Sequence, residues 1–441
     1  MQITIEPAGR CRGTISVPGD KSISHRAAIF SSLANGQVEI EGFLNAEDPR
    51  ATLECMKMLG VEVNETGDQE QGKEQKVKQT LRIRGRGLKG LEEAPDILDA
   101  GNSGTTARLL VGLLSAQPFY TVLTGDASLR KRPMGRISEP LRQMGAQIDG
   151  RKEGTLLPLT IRGQDLSSIN FNSPVASAQV KSALLLAALQ AGGTTTITEP
   201  GLSRDHTERM LLHFGVPLKW GPRGEIILEG PVSKLAADHV KVPGDISSAA
   251  FFMVAAALAP RGDLLIRDVG LNPTRTGILD VLNQMDAQIR VINQREHNRE
   301  PVGDLHVKGG KSLRGVEVPG EIIPRLIDEI PILAVAAAFA EGETRIKGAG
   351  ELRVKESDRL QALSRELKKM GVPVEEFPDG LSIQGSKTIS GGRVFSHGDH
   401  RIAMSLAIAG LFAEQETVID GVDSVPVSFP GFFDRLKEID G

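Results

Sequence analysis

One eight-residue shape recurs along this chain of 441 residues and limits what it can fold into. An apolar residue, two others and a second apolar residue lead to Gly or Asp, and an alternating apolar run follows. The copies are Met56–Val63, Leu141–Ile148, Leu211–Leu218, Leu282–Ile289 and Leu367–Val374, with a truncated copy at Leu436–Gly441. Each reads as an amphipathic helix that ends where a positive φ is cheap, followed by a strand of period two. The copies lie about 70–85 residues apart, too far for a solenoid repeat. Each repeat must therefore hold several strands and helices. Six α/β repeats predict two domains of three repeats each, in a chain already long for a single core.

A second recurrence marks bends. Val17–Asp20 and Val242–Asp245 both read VPGD, and Val318–Glu321 is a near copy. Pro fixes one φ and Gly frees the next. If the first two bends are crossovers, residues 1–20 join 242–441 as one domain and residues 21–241 form the other. The hinges then lie near 18–22 and 241–245.

Charge narrows the partners. There are 52 basic and 56 acidic residues, without the basic excess of a nucleic-acid binder. Aromatics make up only 4%, so the core should be aliphatic and base-stacking platforms are not expected. Cys11 and Cys55 lack metal-ligand spacing and read as reduced thiols. The first residues show no apolar leader. The apolar runs Ala249–Pro260 and Ile330–Ala340 are about half the ~20 residues of a bilayer span and read as buried helices. No nucleic acid and no membrane are expected as partners, and the cytoplasm is the default compartment.

Against this background, clustered cations are informative. In Pro18–Arg26, Lys21, Ser22 and Arg26 follow the bend at a predicted helix start near Ser22, where free N–H groups attract anions. Gly101–Leu110 places Asn102, Ser103, Thr105 and Arg108 around two glycines that let backbone N–H groups approach an anion. Arg130, Lys131 and Arg132 precede Pro133, read as the first residue of a helix. Three cations there oppose the helix dipole unless an anion is present. Ser177 and Gln179 stand ahead of an apolar helix, and Ser203–Met210 offers Arg204 and His206, the latter read as structural. Asp328 and Glu329 sit at the edge of a buried stretch and need partners. Arg353, Lys355, Glu356, Asp358 and Arg359 cluster, with Lys355 and Arg359 expected on one helix face. Asp399, His400 and Arg401 precede another apolar helix. Read alone, each motif also fits a capped, solvated helix start. Six of them in a net-acidic chain point to a shared site for polyanions.

Taken together, PGDKSISHR, GNSGTTARLL, KRPM, ASAQVKSALLLA, RDHTERM, RVKESDRL and GDHRIAMS resemble the 5-enolpyruvylshikimate-3-phosphate synthase family, the 3-phosphoshikimate 1-carboxyvinyltransferases. The motifs follow the family's order from Pro18 to Ser405. The resemblance implies an α/β fold: a two-domain inside-out α/β barrel, each domain of three βαβαββ units. It implies transfer of the enolpyruvyl group of phosphoenolpyruvate to the 5-hydroxyl of shikimate 3-phosphate with release of phosphate. No metal or organic cofactor is implied, and a monomer is expected. It also implies that two similar halves close around the substrates, which would exclude water.

Residue by residue, the resemblance implies catalytic roles for Lys21, Asp328 and Glu356. Asp328 matches the base for the 5-hydroxyl, and Glu356 the group that exchanges a proton with C3, with Lys21 and Lys355 adjusting charge. Shikimate 3-phosphate would meet Lys21, Ser22, Arg26, Ser177, Ala178, Gln179, Arg204, Asp328 and Lys355. Phosphoenolpyruvate would meet Lys21, Gly104, Arg132, Gln179, Arg359 and Arg401. Four positions depart from the best-known bacterial pattern. Val427-Ser428 stand where a Lys is often found, Ala178 replaces a second Ser, Glu351 an Asn, and Leu109 a Pro. GDK, SAQVK, RDHTE and Asn272–Arg275 look like the second subclass, some members of which tolerate glyphosate, whereas Gly104 keeps the residue associated with sensitivity. Tolerance is left open. Two other readings compete. A UDP-N-acetylglucosamine enolpyruvyl transferase uses a loop Cys in most members, and Cys11 and Cys55 lie outside such a loop. A non-catalytic repeat protein binding phosphorylated ligands would not need Asp328 and Glu356 beside the cations.

Overall fold

The computed structural model describes residues 1–66 and 80–439 as helices, strands and connecting segments. The chain forms two compact units. One comprises Met1–Pro18, Pro243–Arg295 and Pro301–Gly441, and the other Gly19–Val242 with Glu296–Glu300. Among the described residues there are six sheets, mixed with helices throughout.

The second unit holds three four-stranded sheets built to one plan. In one, strand Leu98–Asp99 runs parallel to Tyr120–Thr124, which pairs antiparallel with Leu156–Arg162, which pairs antiparallel with Gln147–Gly150. Helices Gly104–Leu114 and Gly135–Gln143 connect the strands, giving the chain order strand, helix, strand, helix, strand, strand. The same plan orders Asn170–Asn172, Gly193–Thr198, Ile226–Gly230 and Lys219–Trp220 around helices Ala178–Ala188 and His206–His213. In the third sheet the parallel edge strand is His239–Lys241, from the far end of the unit, set against Asn35–Glu41. Helices Gly104–Leu114 and Ala178–Ala188 pack backbone to backbone: a Cβ at Gly112 would lie 2.2 Å from the Ala183 carbonyl oxygen.

The first unit repeats the plan twice in full and once in part. Arg12–Ser16 runs parallel to Asp263–Gly270, and Glu317–Val318 parallel to Glu343–Ile346, each with an antiparallel pair beyond. The third sheet has three strands, and the N-terminal strand Gln2–Ile5 takes the place beside Thr417–Asp420 that a hairpin strand fills elsewhere.

Five of the recurrent copies fall at helix-to-strand junctions, and the residue between is left-handed each time. These are Gly60 (φ 86), Gly145 (φ 103), Gly215 (φ 81), Asp286 (φ 70) and Gly371 (φ 82). The sixth copy begins at Leu436, inside helix Phe432–Glu438, and its Asp440-Gly441 lie outside the described residues. Both VPGD bends end in a helix cap. Asp20 accepts a hydrogen bond from Ile23 N at 2.8 Å and Asp245 from Ser247 N at 2.9 Å. The apolar runs form helices Ile246–Leu258 and Ile330–Ala338, almost wholly buried. Among the described residues no helix is long and apolar enough to cross a membrane. Both cores are mainly aliphatic. The first unit departs from this expectation with an aromatic cluster, in which Phe252, Phe429 and Phe432 pack pairwise in tilted and edge-on contacts with centroids 5.4–5.8 Å apart. Phe429 anchors the turn that carries Val427-Ser428.

Candidate active site

In the second unit, cations and hydroxyls converge at three helix starts. Helix Lys21–Ser32 begins at the Asp20 cap. Lys21 Nζ lies 3.0 Å from Asp48 Oδ2. Arg26 is buried, and each of its three nitrogens donates a hydrogen bond. Its Nε donates to Thr207 Oγ1 at 2.7 Å, Nη2 to Ser182 Oγ at 2.8 Å and Nη1 to the Ser22 carbonyl at 2.9 Å. Burial pulls the Arg26 pKa down to about 10, Glu208 and Asp20 oppose this, and Arg204 adds to it. Arg204 therefore shares an electrostatic neighbourhood with Arg26. It is half-buried in the loop before helix His206–His213. His206, read from the sequence as structural, is buried with its Nδ1 2.7 Å from Glu300 Oε1.

Helix Gly104–Leu114 is capped by Ser103, whose side chain accepts from Thr106 N. Arg132 Nη2 donates to Asn102 Oδ1 at 2.7 Å, and Asn102 in turn to Asp126 at 2.6 Å. Gly104 is a close approach: a Cβ there would lie 2.7 Å from Arg108 Nη1 and 3.6 Å from Arg132 Nη1. Arg108 Nη1 donates to Gln179 Oε1 at 2.7 Å, and Gln179 Nε2 to Thr105 Oγ1 at 3.0 Å. Arg108 thus links Gln179 to the helix that Gly104 opens, and its Nη2 donates to the Pro133 carbonyl, next to Arg132, at 3.2 Å; the sequence placed Arg108 in the glycine motif without giving it a partner. Ser177 precedes helix Ala178–Ala188 at its N-cap position, without a side-chain capping bond among the described residues. Ala178 and Gln179 lie in its first turn rather than ahead of it.

Pro133 does not open a helix. Arg130 and Lys131 belong to the 3₁₀ turn Leu129–Lys131, and the next helix starts at Gly135 after Met134. Arg130 and Lys131 therefore lie in a turn of their own rather than at the first residue of that helix.

In the first unit, Arg359 gathers three carboxylates. Its Nε lies 2.8 Å from Asp399 Oδ2, Nη2 2.7 Å from Glu356 Oε2 and Nη1 3.4 Å from Asp328 Oδ1. Burial works against the Arg359 charge, but Asp399, Glu356 and Asp328 outweigh it and raise its pKa. Arg401 Nη1 donates to the Asp328 carbonyl at 3.1 Å. Asp399 caps helix His400–Leu411 by accepting from Arg401 N at 2.9 Å, so His400 and Arg401 lie inside its first turn. Lys355 and Arg359 do not share a helix face. Asp358 accepts from Gln361 N and starts the helix at Arg359, leaving Lys355 extended at the end of the turn Gly350–Val354. Burial nevertheless lowers the Lys355 pKa, with Asp328 opposing and Arg359 assisting. Glu329, fully buried behind Asp328, meets Ser247 and Arg275. Arg275 also reaches Asp245 at 3.2 Å. The sequence marked Asn272–Arg275 as a subclass feature and missed this structural pairing.

Each set can hold multiply charged anions through charge-assisted bonds, and the first adds two carboxylates able to move protons. Such chemistry fits an α/β enzyme working on small anions. The profile of the EPSP synthase (3-phosphoshikimate 1-carboxyvinyltransferase) family matches residues 5–436. A 3-phosphoshikimate 1-carboxyvinyltransferase of Pelotomaculum thermopropionicum is 53% identical over 439 residues, covering 100% of this chain and 99% of the relative. One from Desulfitobacterium hafniense is 54% identical over 437 residues, covering 99% and 97%. The solved EPSP synthase of Acinetobacter baumannii is 45% identical with a TM-score of 0.87, covering 99% of this chain and 98% of that one. The chain belongs to the EPSP synthase family.

Proposed function

We propose that the two residue sets carry out one reaction on one pair of substrates. The enzyme transfers the enolpyruvyl group of phosphoenolpyruvate to the 5-hydroxyl of shikimate 3-phosphate and releases phosphate, a step of the shikimate pathway toward chorismate and the aromatic amino acids. Asp328 takes the hydroxyl proton as the oxygen bonds to C2, and Glu356 gives a proton to C3. In the second half Glu356 takes that proton back while the C2–O bond to phosphate breaks and the C2–C3 double bond returns. Lys21 and Lys355 balance the charge of both steps. Lys21, Ser22, Arg26, Ser177, Ala178, Gln179, Arg204, Asp328 and Lys355 hold shikimate 3-phosphate. Lys21, Gly104, Arg132, Gln179, Arg359 and Arg401 hold phosphoenolpyruvate, the arginines by bidentate contact that Lys does not copy.

The observation that carries this reading is the Arg359 cluster. The two carboxylates that the chemistry needs both contact one buried guanidinium, at 3.4 and 2.7 Å. We also read the repeated sheet plan as βαβαββ units forming an inside-out α/β barrel. Residues 1–20 with 242–441, and residues 21–241, are read as domains hinged near 18–22 and 241–245. Support comes from compact units that divide after Pro18 and after Val242. The cytoplasm and a monomeric state remain part of the proposal.

Phosphate release from phosphoenolpyruvate plus shikimate 3-phosphate, measured on the purified protein, tests the function. Turnover with this pair is expected. Turnover with UDP-N-acetylglucosamine instead, or binding of the pair without turnover, would overturn it.

A further inference from the structure

Beneath the second unit's residue set lies a charged cluster that the proposed reaction does not use. Lys181 sits one turn into the apolar helix Ala178–Ala188. Its ammonium lies 2.9 Å from Glu199 Oε2 and 2.8 Å from Glu208 Oε1, and the three side chains are 2%, 8% and 3% exposed. Burying three charges is costly unless each is paired and hydrogen-bonded. A stability role alone would be met as well by apolar residues of similar volume, so the wiring of the cluster matters.

Glu199 is wired to two segments. Its Oε1 accepts from Ser177 N at 2.9 Å, and its Oε2 accepts from Ser203 Oγ at 2.7 Å as well as from Lys181. One carboxylate thus ties the start of the Ser177 helix to the residue before Arg204. A negative charge at this helix start also suits the dipole. The Ser177 side chain makes no capping bond among the described residues, so its hydroxyl is not spent on the helix. Glu208 reaches the third segment. It follows Thr207, which holds Arg26 at 2.7 Å, and its charge is the foremost of those sustaining the Arg26 guanidinium against burial.

We infer that Lys181, Glu199 and Glu208 form a buried positioning junction that holds Ser177, Arg204 and Arg26 in register for shikimate 3-phosphate, without taking part in proton transfer. The inference rests on the proposed function, because it presumes that those three residues meet this substrate.

The test uses the full chain with Glu199→Gln and with the charge-neutral double variant Lys181→Met/Glu199→Gln. Steady-state kinetics vary each substrate in turn, and thermal melting is followed in parallel. A loosened junction raises KM for shikimate 3-phosphate by roughly tenfold, since misplacement of binding groups by a fraction of an ångström is costly. KM for phosphoenolpyruvate and kcat stay within about twofold. A cluster that serves only the fold would lower the melting temperature and leave both KM values in place, which overturns the inference. So does a fall in kcat with unchanged KM, or loss of folding in both variants. The wild-type protein is measured alongside. No turnover in the wild type refutes the function itself, whereas an active wild type with an unmoved variant refutes only the junction.

Discussion

Replacing Arg359 with Met probes the cluster on which the proposed chemistry depends. The guanidinium is 1% exposed, and Asp399, its 2.8 Å partner, is 0% exposed. Removing one partner of a buried ion pair costs about 3–5 kcal/mol, because the remaining charge is left without compensation. Glu356 and Asp328 add less, since solvent reaches both and screens their charge. The loss should therefore be set by Asp399 and should depend on pH in a definite direction. Burial pushes the Asp399 carboxyl up, but Arg359 outweighs it and holds the group below the ordinary aspartate range. In the wild type this contribution is present above the unfolded value of about 3.9 and is lost only as pH falls through the lower folded value.

In Arg359→Met the burial remains and the guanidinium is gone, so the folded value rises above about 3.9. The deficit is then full at neutral pH and shrinks as pH falls through that raised value, because protonation neutralises the stranded carboxylate. Native-state hydrogen exchange in helix His400–Leu411, which Asp399 caps, reads this locally at pH 7 and pH 5. The expected deficit is about 3–5 kcal/mol at pH 7 and smaller at pH 5. A deficit under about 1 kcal/mol, the scale of an exposed pair, would refute the reasoning. An equal deficit at both pH values would do the same.

Gly104→Ala drives a methyl group to 2.7 Å from Arg108 Nη1 and loosens its bond to Gln179. A charged hydrogen bond is worth about 1.5–3 kcal/mol, so KM for phosphoenolpyruvate should rise at least tenfold with the fold intact, and an unchanged KM counts against the arrangement. Lys355 loses its proton earlier than an ordinary lysine because burial disfavours the ammonium. If activity needs that charge, the alkaline limb of the kcat/KM profile lies below about 10.4. Lys355→Arg, which stays charged, should push the limb upward or abolish it, and an unmoved limb would remove Lys355 from that role.

What could be read from the sequence divides along a physical line. Gly60, Gly145, Gly215, Asp286 and Gly371 were legible because a left-handed residue between helix and strand is a local demand that sequence meets locally. Asp20 and Asp245 were legible as part of a bend, and the same residues serve as caps. The clustering of Glu356 with Arg359 was also within reach, since the two are three residues apart and bond at 2.7 Å.

The failures share a cause. Counting Lys355 and Arg359 as i and i+4 presupposes a helix through both, but Asp358 offers a side-chain cap that competes with helix continuation. Pro133 suits a helix start, yet Met134 intervenes as the N-cap before the helix begins at Gly135. The pairings Arg108 with Gln179, Lys181 with Glu199 and Arg359 with Asp399 join residues distant in sequence. No periodicity encodes them, because each exists only after helices and loops have packed and water has been excluded. Local rules therefore locate the residues that can meet an anion, while the buried partners that hold them in place follow from tertiary packing. Variants at those buried partners are the ones that separate positioning from chemistry.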